Sequence, residues 1–354
     1  MAPAANVSIL VVTYDHEGEI DGCLDAALAQ RGEGLAVEVV VADNASRDAT
    51  AARVRARGRD GVRLLEMGRN RGFAAATNAA FGASTAEHVL ILNPDCVMDP
   101  GCAAALRDHL VARPDVGLAA ALLHDLDGTP QLHARRDAGL GGVLWAFTTV
   151  GRRVDARLRG GRALAVRRYE DLWSGGPPRE PVAVFCPAAA CVMASRGDLR
   201  PAPFDERFPL FFNDADLCVR LRATGRAAEL VPAATAAHGY GTSIGRAQRS
   251  DPARMRAEWV ASLRRYAARH WDRPRRAALA LALLADAVAG AALCLARRED
   301  PREVRGTLGG LGLPGGPAPL LTPVRRVWAR RAPAGAAVAP ARPPADVAPG
   351  TRRR

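Results

Sequence analysis

The feature that most constrains the fold is an apolar run at residues 89–92, Val-Leu-Ile-Leu, followed by Asn93, Pro94 and Asp95. Four consecutive apolar residues predict a short strand buried on both faces, as in the interior of a parallel sheet. Pro94 has no N–H to donate, so the strand is expected to end before it. Asp95 then lies at the carboxyl end of a central strand, where open α/β sheets bind ligands and where a carboxylate can hold a divalent cation. The alternative is that Asp95 only begins a turn ahead of Asp99.

Strands are also predicted at residues 7–14, 37–42 and 62–67, and helical patterns separate the four strands. Strands that alternate with helices call for right-handed crossovers, so the first 115 residues predict a parallel α/β sheet. A dinucleotide-binding protein would carry G-x-G-x-x-G after its first strand. Residues 15–18 are Asp-His-Glu-Gly instead, which argues against an NAD enzyme.

Charge and cysteine content narrow the classes of function. The net charge is +12, but residues 324–354 contain eight Arg and a single acid, Asp346. Such a tail suits an anionic membrane surface or a nucleic acid, or it only aids solubility. Aromatic residues make up 5% of the chain, too few for a base-stacking surface, so no nucleic acid is expected as a partner. The seven Cys form no C-x-x-C pair and no signal-peptide pattern occurs at residues 1–6, which together predict a reducing cytoplasm.

Polar residues follow the second and third predicted strands. Asp43 and Asn44 offer acceptors and donors suited to a nucleobase edge and a ribose, or they only cap the turn. Ser46 is the predicted N-cap of the next helix. Residues 69–73 lead through Gly72 into an Ala-rich helix, whose N-terminus is an anion-binding position.

Four segments in this order, VSILVVTY, VVVADNASRD, NRGFAAATN and VLILNPD, resemble the family 2 glycosyltransferases, and within them the bacterial rhamnosyltransferase-like branch. The resemblance extends over residues 6–270 and implies the GT-A nucleotide-diphospho-sugar transferase fold, a Rossmann-like, mostly parallel α/β sheet, with a C-terminal helical extension. It implies that Asp43 contacts the base and that Asp95 closes a D-x-D-type metal motif, in which Asn93 replaces the first Asp. The predicted nucleotide- and donor-binding residues are Thr13, Tyr14, Asp15, Asp43, Asn44, Asn70, Gly72, Asn78 and Asn93.

A second polar cluster begins a helix that Gly225 is expected to end. Asn213, Asp214 and Asp216 lie in its first turn, where acids are favoured by the helix dipole alone. The resemblance implies more, because Asp214 matches the catalytic base of the family's E-D motif and Asn213 stands in place of the Glu. Asp216 is predicted to be structural or to orient the acceptor, and Asn213 is placed on the acceptor side with it.

His238 is the second predicted metal ligand. A single His is more often a packed core or surface residue than a ligand. In the family resembled, a His here reaches the metal or the donor diphosphate, and the loop that follows (Gly239, Gly241, Ser243) brings its backbone close to phosphate oxygens. Ahead of it, a short strand at residues 228–231 is expected to end at Pro232, and residues 135–180 are predicted to be mobile near the acceptor.

The C-terminal third changes character. Residues 253–271 predict an amphipathic helix, and residues 277–295 are apolar except for Asp286. Because the cost of Asp286 roughly cancels the gain from the apolar residues, an interfacial or packed helix is favoured over a membrane span. Residues beyond 311 predict disorder. The predicted domains are therefore a catalytic domain (1–245), a helical, membrane-associating region (246–311) and a Pro/Ala/Arg-rich tail (312–354).

The function implied by the resemblance is inverting sugar transfer from a nucleotide-diphosphate donor, dTDP-rhamnose as the best guess, with Mg²⁺ or Mn²⁺. The implied acceptor is a hydroxyl of a polyprenyl-diphosphate-linked saccharide or another glycan in cell-wall or polysaccharide synthesis. The protein is expected to be cytoplasmic and peripheral at the inner face of the plasma membrane, bound to its anionic surface. Two alternatives remain, a non-catalytic membrane-bound scaffold and a sugar-phosphate nucleotidyltransferase.

Overall fold

The protein was studied as a computed structural model, which describes residues 6–32, 34–131, 133–135, 148, 176–239, 251–297 and 300–319. The predicted alternation of strands and helices in the first 115 residues is confirmed. The strands are β1 Val7–Thr13, β2 Val37–Asp43, β3 Val62–Glu66, β4 His88–Leu92, β5 Cys96–Met98, β6 Val116–His124, β7 Ala134–Arg135, β8 Val182–Val184, β9 Cys186–Pro187, β10 Cys191–Ser195 and β11 Ala227–His238. The α-helices are α1 Ile20–Ala29, α2 Thr50–Ala56, α3 Phe73–Ala83, α4 Cys102–Ala112, α5 Asn213–Ala223, α6 Pro252–His270, α7 Arg273–Arg297 and α8 Arg302–Leu311.

The main sheet has the strand order β3-β2-β1-β4-β10-β6-β11-β5, and β8 pairs with β11 outside this path. Strands β3, β2, β1 and β4 are parallel, as the sequence predicted. Strand β10 enters antiparallel to both β4 and β6, and β11 runs parallel to β6 and antiparallel to β5. The sheet is therefore mixed, with four parallel and four antiparallel strand pairings, and β4 lies near its centre.

Apolar residues on the two faces of this sheet form two separate hydrophobic clusters. All five residues of β4 are buried, as expected for a central strand covered on both faces. Successive residues of one strand join different clusters, since Ile91 packs in one and Leu92 in the other. This explains why the sequence shows continuous apolar runs rather than strict alternation.

Two local predictions are wrong. Strand β11 does not end at Pro232 but continues to His238, because its register with β6 shifts between Val231 and Thr235. Such an irregularity lets a strand accommodate a residue that cannot donate to the ladder. Ser46 is not the N-cap of α2. Its hydroxyl donates to Asp43, and Asp48 accepts from the N–H of Thr50 at the start of the helix.

Helix α6, predicted from its amphipathic pattern, packs against the catalytic sheet domain. Tyr266 is 2% exposed, and its ring lies 5.4 Å from that of Phe212, centroid to centroid. The Trp259 ring lies 5.7 Å from the same Phe212 ring. Residues of α6 thus belong to the same hydrophobic cluster as residues of β1 and β4. The domain boundary predicted at residue 245 lies outside the described residues and stays a prediction.

Helix α7 includes residues 277–295, the stretch that is apolar except for Asp286. In the described part of the chain, this helix alone is long and apolar enough to cross a membrane, judged by length and composition. Asp286 is 4% exposed and lies 3.6 Å from the Arg256 guanidinium of α6. The residues predicted to be disordered from 320 onward, and nearly all of the region predicted to be mobile, lie outside the described residues.

Candidate active site

Strands β1, β2 and β4 run parallel, so their carboxyl ends lie at one edge of the sheet. Register pairs Thr13 with Asp43, which places the ends of β1 and β2 side by side. The N–H of Asn44 continues this pairing by donating to the Thr13 carbonyl at 2.8 Å. The predicted donor-binding residues of the first two strands are therefore brought together as expected.

Backbone strain also concentrates in this region. Among the described residues, the non-glycine residues with positive φ are Asp15 (57°), Ala45 (65°) and Phe212 (65°). Asp15 follows β1, Ala45 follows β2, and Phe212 immediately precedes α5 with the predicted catalytic base. Left-handed conformations cost non-glycine residues about 1–3 kcal/mol and cluster at ligand-binding sites. Their positions mark these three loops as parts of one functional region.

The two carboxylates predicted near the base and ribose already have protein partners. Asp15 accepts from the Arg47 backbone N–H at 2.7 Å and from its guanidinium at 2.6 Å. Asp43 is 3% exposed and accepts from the Ser46 hydroxyl at 2.5 Å and from its N–H at 3.0 Å. Arg47 also lies over the Tyr14 ring, 5.4 Å from its centroid. The alternative that Asp43 organises its own turn is therefore observed, and its contact with a base stays a prediction.

The position of Thr13 differs from the prediction that its side chain lines the nucleotide site. It is fully buried, and its hydroxyl lies 3.2 Å from His16 Nδ1. Since the side chain has no exposed surface, it supports the loop after β1 rather than facing a ligand.

The loop before α3 is held by amide side chains. Asn44 donates to the Gly72 carbonyl at 3.1 Å and accepts from the Arg71 N–H, while Asn70 accepts from the Gly72 N–H at 3.0 Å. Gly72 has a φ of 86°, which explains why Gly occupies this position. Asn78 donates to the Phe204 carbonyl at 2.9 Å and accepts from its N–H at 3.1 Å. Asn78 thus fixes the segment that begins at Phe204, and its predicted contact with the donor stays a prediction.

The two predicted metal ligands, Asp95 and His238, lie side by side. Strand β11 runs antiparallel to β5 with His238 opposite Cys96, and the Gly239 N–H donates to the Asp95 carbonyl at 2.9 Å. This register brings His238 Nε2 to 3.4 Å from Asp95 Oδ1, although 143 positions separate the two residues in the sequence. Two ligand atoms that occupy adjacent positions around one small divalent cation lie about 3 Å apart. The two side chains therefore fit such a cation. Asn93, two residues before Asp95, is partly exposed beyond the end of β4.

Cys96 is a third potential ligand that the sequence did not indicate. Its Sγ, a carboxylate oxygen of Asp95 and a ring nitrogen of His238 all lie within 4.8 Å of one another. Burial, with a smaller contribution from the Asp95 charge, raises the pKa of the Cys96 thiol well above its ordinary value. The thiol donates to the Ala190 carbonyl. A neutral thiol is a poor ligand, so the pair of Asp95 and His238 suits a cation that prefers oxygen and imidazole.

Gln131 is a neighbour of His238 that the sequence did not indicate either. It follows a tight turn after β6, where the Gly128 φ is 86° and the Gln131 N–H donates to the Leu123 carbonyl. The Gln131 side chain is 6% exposed and contacts the His238 ring nitrogen Nδ1 at 3.0 Å. A single Gln after a turn carries no local signal, so only the fold reveals this contact.

The predicted catalytic base begins helix α5. Asn213 donates to the Leu210 carbonyl at 3.1 Å and accepts from the Asp214 N–H at 2.7 Å, so its role is to shape the start of the helix. Asp214 is partly exposed, as a residue that meets an acceptor must be. The preceding segment packs on the N-terminus of α3, because the Ala74 N–H donates to the Pro209 carbonyl at 3.2 Å. Asp214 is thereby tied to the same side of the sheet as the strand ends.

Asp216 has the structural role that was one of its two predicted alternatives. The residue is fully buried, and its carboxylate binds His270 Nε2 at 2.8 Å, Arg269 Nε at 3.0 Å and Arg220 Nε at 3.0 Å. Two of these partners belong to α6, so Asp216 fastens α6 to the helix that carries Asp214. A direct contact of Asp216 with an acceptor is not available.

A Rossmann-like mixed sheet with an aspartate after its central strand, a His beside it and a carboxylate at a later helix start is the arrangement of the GT-A glycosyltransferase fold. Residues 8–161 match the sequence model of Glycosyl transferase family 2. The chain therefore contains a family 2 glycosyltransferase domain, which is an enzymatic domain of sugar transfer.

Two relatives agree with this assignment. The chain is 29% identical over 321 residues to the N-acetylglucosaminyl-diphospho-decaprenol L-rhamnosyltransferase of Mycobacterium tuberculosis, a match that covers 84% of this chain and 97% of the relative. It is 37% identical over 122 residues to the succinoglycan biosynthesis protein ExoO of Rhizobium meliloti. That second match covers 34% of this chain and 33% of ExoO.

Solved structures share the fold. The mannosyltransferase PcManGT from Pyrobaculum calidifontis, in complex with GDP-Man and Mn²⁺, matches with a TM-score of 0.50 and 20% identity, over 88% of this chain and 87% of the other. GalNAc-T7 with UDP, GalNAc and Mn²⁺ matches with a TM-score of 0.50 and 12% identity, over 75% of this chain and 48% of the other. At these identities the likeness establishes the fold alone.

Proposed function

We propose that the protein transfers L-rhamnose, with inversion, from dTDP-rhamnose to a hydroxyl of a polyprenyl-diphosphate-linked saccharide. The observation that carries the transfer chemistry is the partly exposed Asp214 at the start of α5, tied through residue 209 to the edge where the strand ends and Asp95 lie. The sugar and the lipid-linked acceptor follow the name of the M. tuberculosis relative, which aligns over nearly its whole length.

In the proposed reaction, Asp214 takes the proton from the acceptor hydroxyl as that oxygen attacks the anomeric carbon. The new bond forms on the face opposite the nucleotide diphosphate, whose bond to the sugar breaks in the same displacement, so the configuration inverts. A divalent cation, Mg²⁺ or Mn²⁺, held by Asp95 and His238 would neutralise the charge that develops on the departing diphosphate. The N-terminus of α3 after Gly72 is a position that favours an anion, although the Ala74 N–H there already donates to the Pro209 carbonyl.

The test is transfer from a panel of nucleotide sugars to a polyprenyl-diphosphate-linked N-acetylglucosamine acceptor. The wild type is compared with Asp214→Asn and with Asp108→Asn, a control at an exposed carboxylate of α4. Turnover of dTDP-rhamnose that is lost only in Asp214→Asn supports the proposal. Turnover of another donor in place of dTDP-rhamnose contradicts the proposed sugar. Absence of turnover with any donor, while nucleotide diphosphates still bind, favours the scaffold, and a preference for nucleoside triphosphates favours the nucleotidyltransferase.

We further propose that the protein works at the inner face of the plasma membrane, with one face of α7 in contact with anionic lipid. Leu281, Leu284, Val288 and Leu295 are 69%, 44%, 64% and 82% exposed and lie in one stripe along the helix. Asp286 lies on the opposite side, where it pairs with Arg256. Turning the single acid inward leaves an apolar outer face, which suits an interfacial helix.

The membrane proposal is tested by co-sedimentation with vesicles that contain an anionic phospholipid and with neutral vesicles. The double variant Leu281→Ser, Val288→Ser should weaken binding about 100-fold, since burying each such side chain contributes about 1.5–3 kcal/mol. Ala278→Ser, a change at another exposed position of the same helix, is the control. Equal binding of all three proteins, or no binding of the wild type, contradicts the proposal.

A further inference from the structure

The side chain of Gln131 makes three polar contacts at the predicted metal ligand His238 and its surroundings. Its amide nitrogen Nε2 donates to the His238 backbone carbonyl at 2.7 Å and to Asp125 Oδ1 at 2.6 Å. Its amide oxygen Oε1 lies 3.0 Å from His238 Nδ1. Asp125 and Gln131 both lie in the turn that follows β6, whereas His238 is the last residue of β11.

The orientation of this amide follows from its partners. A backbone carbonyl can only accept a hydrogen bond, and an ionised carboxylate likewise only accepts. The amide nitrogen of Gln131 must therefore face His238 O and Asp125, which leaves the amide oxygen toward the His238 ring. The assignment does not depend on where hydrogens were placed.

This orientation fixes the tautomer of the imidazole. Since Gln131 Oε1 is an acceptor, His238 Nδ1 must carry the proton and donate it. In the neutral ring, Nε2 then carries the lone pair, and this atom faces Asp95 Oδ1 at 3.4 Å. Either a proton on Nε2 that donates to Asp95 or a cation bound by both atoms would hold the ring and the carboxylate together, and the second case is the arrangement of two ligands of one cation.

We propose that Gln131 is a positioning residue for the metal site, which holds His238 in the Nδ1–H tautomer with its Nε2 lone pair directed at the cation shared with Asp95. The inference rests on the proposed function, because it assumes that a cation binds at this pair. Gln131 itself touches neither the cation nor the substrate. Its effect passes through the ring of His238.

Two variants of similar size separate positioning from folding. Gln131→Met removes both the acceptor and the donor. Gln131→Glu also removes the donor bonds to Asp125 and to the His238 carbonyl, but it keeps an oxygen acceptor at Nδ1. Any loss that comes only from loosening the turn should therefore appear in both variants, whereas a loss of tautomer control should appear only in Gln131→Met.

The first readout is the tautomer of His238 in metal-free, ¹⁵N-histidine-labelled protein at alkaline pH, from long-range ¹H–¹⁵N correlations. The His238→Ala spectrum assigns the signals. Wild type and Gln131→Glu should show the Nδ1–H tautomer, and Gln131→Met should lose it or mix the two forms. An Nε2–H tautomer in the wild type overturns the proposal.

The second readout is Mn²⁺ affinity, measured by electron paramagnetic resonance of the free ion. Loss of such an outer partner weakens metal binding about 10–100-fold, so Gln131→Met should fall in this range while Gln131→Glu binds at least as tightly as the wild type. Equal weakening in both variants, or no change in Gln131→Met, overturns the inference. A wild type that shows the expected tautomer but binds no Mn²⁺ refutes the metal site of the proposed function and also removes the role assigned to Gln131.

Discussion

Two carboxylates of α5, separated by one residue, should respond to the same substitution in opposite ways. Asp214 is partly exposed, whereas Asp216 is fully buried and contacts His270, Arg269 and Arg220. We therefore compare Asp214→Asn with Asp216→Asn. Each change keeps the shape of the side chain and removes its charge.

The magnitudes follow from burial. Breaking a buried ion pair costs about 3–5 kcal/mol. The Arg220 and Arg269 side chains are 28% and 33% exposed, so water takes over part of their lost interaction. Asparagine can still accept one hydrogen bond. Asp216→Asn should thus lower the free energy of unfolding by about 3 kcal/mol, the lower end of that range, while Asp214→Asn should change it by less than about 1 kcal/mol, the helix-dipole contribution.

Activity should show the reverse order. Removing a general base lowers the rate about 10²–10⁴-fold, so folded Asp214→Asn should bind nucleotide diphosphates but transfer sugar at least 100-fold more slowly. Urea unfolding followed by circular dichroism measures stability, and transfer to the lipid-linked acceptor measures activity. Unchanged stability of Asp216→Asn refutes the reasoning about the buried cluster. Full turnover by Asp214→Asn, or destabilisation of this variant by as much as 3 kcal/mol, refutes its role as the base.

Three further outcomes are expected. Burial lowers the pKa of His88 in the folded state, so the unfolded chain binds the proton more readily. The stability that His88 contributes above pH 6.5 is therefore lost as the pH falls, by at most about 1.4 kcal/mol per pH unit. Urea unfolding at pH 7.5 and at pH 5.5 should show a smaller loss of stability in His88→Asn than in the wild type. Asp286→Ala should lower the free energy of unfolding by about 3 kcal/mol because Arg256 loses its buried partner. The double variant Asp286→Leu, Arg256→Met should have a free energy of unfolding close to that of the wild type. Equal losses of stability in the two variants would contradict this reasoning. In a thiol assay of the native protein, Cys294 should react first, because the six other cysteines are buried, and all seven should react after denaturation.

The strands and helices around the donor side were predictable because their signals are local. The four parallel strands, helix α5 up to Gly225 and helix α6 follow from apolar periodicity, Pro and Gly. The prediction about Pro232 failed because of strand pairing, and the prediction about Ser46 failed because of a competing local hydrogen bond. A strand paired on both sides continued past the proline through a bulge, and the Ser46 hydroxyl bonded to Asp43 instead of capping the helix.

The site was only partly predictable for the same reason. Asp95 and Asp214 could be proposed as site residues from the sequence because each lies at the end or the start of an element with a sequence signature, and their roles stay predictions. Thr13 and Asn78 were predicted to face the donor, yet their side chains contact other parts of the protein, and for Asp216 the structure favours the structural one of its two predicted roles. Periodicity assigns a residue to an element but does not specify whether its polar atoms meet solvent or a distant segment.

The sequence by itself determined the fold class, the order of the first four strands and helices, and the family that the chain resembles, since these depend on patterns within short windows. Only the tertiary structure decided which residues surround the predicted ligands. The pairing of β11 with β5 brings His238 to Asp95, the turn after β6 brings Gln131 to His238, and helix α6 closes over Asp216. These contacts join residues 54 to 143 positions apart, and hydrogen bonds over such separations leave no periodic trace in the chain.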